Sequence, residues 1–128
     1  MPTPRDWHVW TTAFLAPWNA HDIEGVLATL PEDFAWQFPA GATAQGATYK
    51  GKTELSEWLT KFFRMVPDLH SSIVDLHPGP NHLVMKVLVT GHNVETGQTL
   101  NFQACDIVLF DGDTPREKRS YRKVVTPA

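Results

Sequence analysis

One cysteine, Cys105, stands alone in the 128 residues, so no intrachain disulfide can form and no C-x-x-C redox or metal motif exists. A reducing cytoplasm is the expected setting. No apolar run approaches the roughly 20 residues that a membrane-spanning helix requires. Met1 to Asp6 lead into a tryptophan-rich segment without the apolar core of a signal peptide, so nothing there directs export. Basic residues are in deficit: 11 lysines and arginines against 14 acids give a formal net charge of −3. That excludes the positive footprint that nucleic acid demands. The six histidines include no H-x-x-x-H or H-E-x-x-H pair, and without neighbouring cysteines they predict no metal site. Repeats and low-complexity segments are absent too. One domain spanning residues 1–128 remains, 42% hydrophobic and 20% charged, in the range of soluble globular proteins.

What is present centres on Leu100 to Phe110. Read with the two-residue period of a strand, Leu100, Phe102, Ala104, Val108 and Phe110 share one face, and Asp106 falls in the middle of it. An ionised carboxylate on an apolar face costs several kcal/mol unless it is paired. Asp106 therefore has a hydrogen-bonding partner or exchanges protons near working pH. Cys105 lies on the opposite face and reads as core or interface, not as a nucleophile.

The chain before this strand is largely helical. Trp7, Trp10, Phe14 and Trp18 recur at helical spacing between Asp6 and Asn19. Asp22 can cap a second helix carrying Ile23, Val26, Leu27 and Leu30. Phe34, Trp36 and Phe38 alternate as in a short strand, and Pro39 to Gly51 reads as a loop whose large side chain is Tyr49. A third helix from about Thr53 to Val66 presents Leu55, Trp58, Leu59, Phe62 and Val66. Four strands follow without intervening helices, so their connections are hairpins and the sheet is largely antiparallel. The prediction is an α+β fold in the order αα-β-α-ββββ. Its cone-shaped, curved antiparallel sheet wraps around a long N-terminal helix and encloses an apolar pocket. The basic run Arg116, Lys118, Arg119, Arg122 and Lys123 near the C-terminus begins just before the last strand, about Glu117 to Val125, and reads as a solvated edge.

Four signposts in order, Trp18-Asn19-Ala20-His21-Asp22, Gly51-Lys52-Thr53-Glu54-Leu55, Phe62-Phe63 with Pro67-Asp68-Leu69-His70, and Cys105 to Gly112, resemble the SnoaL-like polyketide cyclases. These belong to the nuclear-transport-factor-2-like superfamily, which also contains the ketosteroid isomerases. The resemblance implies an aldol cyclisation or related isomerisation of a small hydrophobic carbonyl compound, without cofactor or metal. It makes Asp106 the general acid and base, and His92 its assistant from the preceding strand. Substrate would then lie among Trp10, Phe14, Trp18, Trp36, Phe38, Tyr49, Phe62 and Phe102. Against the isomerases, Phe14 replaces the tyrosine and Phe38 the aspartate base, and only the late acid persists, as Asp106; two of that site's three working groups are missing. The family's late Tyr-x-Asp becomes Tyr121-Arg122-Lys123. A non-catalytic binding or oligomerisation module of the same fold is the alternative.

Two patterns stay open to the fold. A three-residue Glu95-Thr96-Gly97 loop places His92 on the face of Asp106; a two-residue Thr96-Gly97 turn places it opposite and brings Leu83, Met85, Val87 and Val89 to the Asp106 side. Gly46 to Thr53 matches the phosphate-loop pattern G-x-x-x-x-G-K-[ST], but the βαβ context that would give it function is missing, and Gly51-Lys52-Thr53 reads as a helix start. The outer face of the strand, Asn101, Gln103, Cys105, Ile107 and Leu109, is mixed and suits a homodimer contact.

Overall fold

Aromatic residues one helical turn apart give the first helix a face to bury, and the rest of the chain supplies the surface that covers it. The computed structural model describes residues 7–126. Helix α1 (Trp7–Asn19) buries Phe14 and Trp18 and keeps Trp7 and Trp10 half-buried. It passes to α2 (Ile23–Ala28) through His21, which takes a left-handed backbone (φ 56°), stacks on Phe63 at 4.3 Å and places Nε2 2.9 Å from the Leu69 carbonyl. Asp22 caps α2 as expected, accepting the Gly25 N–H at 3.1 Å.

Strand β1 (Ala35–Gln37) lies within the alternation predicted for it, with Phe34, Trp36 and Phe38 all buried. The loop expected after it contains a further strand, β2 (Thr48–Lys50), paired antiparallel with β1 so that Tyr49 stands opposite Trp36. The order is thus αα-ββ-α-ββββ. Three residues are too few to show a period, and the half-buried Tyr49 is held by stacking on Trp58 at 5.0 Å. Helix α3 (Gly51–Met65) follows at once and buries Leu55, Leu59 and Phe63. Because β2 is antiparallel to its neighbour, the glycine-rich segment is no phosphate-binding strand–loop–helix unit.

The remaining strands are β3 (His70–Pro78), β4 (His82–His92), β5 (Thr99–Asp111) and β6 (Thr114–Arg122). They form a curved mixed sheet in the order β2-β1-β6-β5-β4-β3. Every described pairing is antiparallel except β1 with β6. Strand β6 is therefore no edge: β1 flanks it on one side and β5 on the other. The basic run was misread because one side of β6 is closed by a strand some 80 residues away in sequence, and local composition does not report such a partner.

Register does the rest. Around the β4–β5 turn, Asn93 donates its N–H to the Gln98 carbonyl at 2.9 Å, leaving the four-residue loop Val94 to Gly97, closed by Gly97 at φ 76°. Neither shorter turn forms, but an even-numbered loop has the face parity of the two-residue one. Met85 stands opposite Asp106, and Leu83, Met85 and Val87 are buried on that side. At the next hairpin Asp111 pairs Thr114 and Phe110 pairs Pro115, yet Leu109 pairs Glu117. Arg116 is the extra residue of a β-bulge. It turns Lys118, Ser120 and Arg122 to the Asp106 face.

Candidate active site

The pocket lies between α1, β1, α3 and the face of β4, β5 and β6 toward which Asp106 points. It holds about 580 Å³ of empty space, mouth included. Phe14 and Trp18 come from α1, Trp36 and Phe38 from the β1 region, Phe62 from α3, and Phe102 with Ala104 from β5. Trp36 stacks on Phe38 at 5.0 Å and Phe14 on Trp18 at 6.1 Å, so the wall is a connected set of rings. Its polar atoms are few. Besides the indole N–H groups of Trp18 and Trp36, the polar side chains of the lining are Asp106, Lys118, Ser71 and Ser120, and Trp18 Nε1 donates to Ser71 Oγ at 3.2 Å.

Asp106 has its partner. Lys118 Nζ lies 3.3 Å from Asp106 Oδ2, and the two side chains retain only 5% and 11% of their exposure. The cation also sits against rings: Nζ is 3.8 Å from the centroid of Trp36, 4.7 Å from Phe14 and 5.5 Å from Trp18. Two influences on its proton oppose each other. Burial pushes the Lys118 pKa down, the charge of Asp106 and its hydrogen bond push it up, and burial wins, so the net shift is downward. An amine in this position gives up its proton more readily than an exposed lysine. Next along the face, the Arg122 guanidinium lies over Phe102 at 3.5 Å, and burial lowers its pKa as well.

Of the residues expected at the site, the structure brings together Asp106, Phe14, Trp18, Trp36, Phe38, Phe62 and Phe102. Three stand elsewhere. Trp10 packs behind Phe14 at 5.4 Å and edge-on to Phe110, bridging the two core clusters instead of lining the cavity. Tyr49 lies behind Phe38, edge to ring at 5.5 Å. His92 is on the opposite face of β4, exposed, with Nδ1 2.6 Å from Asp68 Oδ2 and its backbone N–H donated to Asp68 Oδ1 at 2.8 Å. The even-numbered loop puts it there, and it does not reach Asp106.

Lys118 is the functional candidate that sequence reading missed. Its signal was available in part. Asp106 on an apolar face required a cation or donor, and lysines and arginines were concentrated in the adjoining strand. Which of them turned inward depended on the Arg116 bulge. Among the described residues no group of three or more histidines, cysteines and acids is placed to hold a metal ion, and no helix is long and apolar enough to cross a membrane.

Comparison with known proteins agrees with this architecture. The chain resembles a Catenulispora acidiphila protein of ketosteroid-isomerase-like fold, solved in complex with trimethylamine, at 18% identity and a TM-score of 0.75, over 94% of this chain and 86% of that one. It also resembles a cystatin-like protein from Xanthomonas campestris at 15% identity and TM-score 0.79, over 94% and 92%. A nuclear-transport-factor-2-like protein from Burkholderia xenovorans aligns at 20% identity and TM-score 0.72, over 91% and 88%. At these identities the likeness is one of fold. A search of curated proteins finds no match. The SnoaL-like domain profile, however, matches residues 11–114, from within α1 to the start of β6, and the chain belongs to the SnoaL-like family.

Proposed function

We propose that this protein is an acid/base enzyme acting, without a cofactor, on a small apolar carbonyl compound, by aldol ring closure of the polyketide-cyclase kind or a related isomerisation. The observation that carries the reading is the Asp106–Lys118 pair, the charged pair among the lining residues of a pocket otherwise walled mostly by aromatic and aliphatic side chains. A buried ion pair is poor value for stability alone, since well-packed apolar residues hold a fold at least as well. A carboxylate in reach of a bound ligand can take the proton next to a carbonyl and return it to the alkoxide once the carbon–carbon bond has closed. The surrounding rings suit a flat, apolar substrate and exclude water from the reacting atoms. His92, facing away and bound to Asp68, has no part in this scheme.

A panel of polycyclic ketones tests it, by thermal shift and then by turnover. A ligand at 100 times its Kd adds about 2.7 kcal/mol of stability. Asp106→Asn is expected to bind the same ketones and lose turnover, the signature of an interaction made chiefly in the transition state. Binding without turnover by the wild type would instead identify a ligand-binding module of the same fold. The half-buried outer residues Cys105, Ile107 and Leu109 support a homodimer through that face, which light scattering measures directly.

A further inference from the structure

The acid/base reading gives Asp106 a task and leaves Lys118 as its counter-ion. The geometry of the lysine suggests more. Its amine is buried, is enclosed by Trp36, Phe14 and Trp18, and lies beside a carboxylate that can relay its proton. Those are the conditions under which a lysine becomes a nucleophile toward carbonyl carbon: a desolvated amine, an adjacent acid/base group and an apolar cavity for the electrophile. The other lysines differ. Lys50, Lys61 and Lys123 are exposed, Lys52 lies 3.6 Å from Glu32, and Lys86 is on the outward face of β4.

We propose that Lys118 captures the carbonyl substrate covalently, as a Schiff base formed and resolved with the help of Asp106. This rests on the carbonyl-enzyme reading and specifies how the substrate is held.

The ammonium of Lys118 first passes a proton to Asp106. The free amine pair then attacks the carbonyl carbon, the C=O π pair moves to oxygen, and a proton relayed through Asp106 completes the carbinolamine. Asp106 protonates the departing hydroxyl, the C–O bond breaks and water leaves. Ammonium plus carbonyl has become iminium plus water, and the carboxylate is regenerated. The site thus holds one positive and one negative group before and after, so capture requires no new buried charge. The iminium makes the neighbouring C–H acidic, and Asp106 can take that proton to give an enamine. The enamine carbon bonds to a second carbonyl carbon, whose oxygen receives the proton from Asp106. Water then hydrolyses the iminium and restores Lys118.

The probe is 2-naphthaldehyde with sodium cyanoborohydride at pH 7; 2-naphthalenemethanol, the same ring without a carbonyl, is the binding control. Peptide mass mapping is expected to find the naphthylmethyl group on Lys118, formed at least ~10-fold faster than on Lys50, Lys61 or Lys123, because only Lys118 holds its amine in an apolar cavity beside an acid/base group. Lys118→Arg keeps a cation beside Asp106 and is expected to lose that adduct while the alcohol still raises its Tm. If that variant does not fold, the wild-type map decides. Should both naphthyl compounds raise the wild-type Tm while Lys118 reacts no faster than the surface lysines, covalent capture is overturned and the acid/base reading stands. With neither a Tm shift nor an adduct on Lys118, both fail.

Discussion

Two carboxylate–nitrogen pairs of this sheet stand at opposite extremes of exposure. Asp106–Lys118 lies in the pocket at 3.3 Å, with side chains 11% and 5% exposed; Asp68–His92 lies on the surface at 2.6 Å, with side chains 53% and 67% exposed. Distance alone ranks the surface pair as the stronger. Solvent reverses the ranking, because water and salt screen an exposed pair and compete for its hydrogen bonds. The buried pair is less close but is largely withdrawn from solvent, so the loss of one partner is poorly compensated. A catalytic proposal belongs where charge is confined, and the shorter contact is only local architecture that ties the end of β4 to the segment leading from α3.

The largest test of that contrast removes one member of the buried pair. Lys118→Met leaves the buried Asp106 carboxylate without its cation and is expected to cost about 3–5 kcal/mol in urea unfolding. Adding Asp106→Leu is expected to recover most of it, and a double variant no more stable than the single one would mean that packing, not charge, holds this site.

A smaller effect tests a neutral contact in the same pocket. Ser71→Ala removes the acceptor of the Trp18 indole N–H, and both residues are buried. A loss of about 1–3 kcal/mol is expected, the cost of an unsatisfied buried donor. A change indistinguishable from zero would show that this end of the pocket is wet.

The pairs also respond to pH in the same direction but at opposite ends of the scale. The folded-state pKa of Lys118 is depressed by burial, so between that value and the ordinary lysine value near 10.5 the unfolded chain binds more protons. Stability from this group therefore rises with pH through that window. The slope should appear in alkaline urea titrations of the wild type and be missing from Lys118→Met/Asp106→Leu. The Asp68 pKa is lowered, first by the side-chain hydrogen bond with His92 and then by the backbone one. Its contribution is present above the ordinary value of 3.8 and lost as pH falls through the lowered one. The smallest expected effect is that of His92→Ala, which should flatten this acid-limb dependence and leave turnover of any ketone substrate unchanged. A loss of turnover would restore His92 to the mechanism.

The core of the fold was legible where sequence periods are long. The stripe through Phe14 and Trp18, the alternation at Phe34, Trp36 and Phe38, and the inward face of β5 all read correctly, because burying apolar area fixes which side of an element turns inward. Strand β2 was not legible, since three residues show no period and their stability comes from β1 and Trp58. Trp10 and Tyr49 show the other shortfall: an aromatic side chain can belong to the core without reaching the cavity, and composition does not separate one from the other.

The sequence by itself determined the family, the α+β layering and the presence of a buried acid at Asp106 that needed a partner. Only the tertiary structure decided which partner. One extra residue at Arg116 and a four-residue loop before Gln98 set the face parity of β6 and β4, turning Lys118 in and His92 out. A sheet has a side-chain period of two, so a single-residue shift exchanges its faces, and the energy that selects the shift comes from strands brought together across the whole chain.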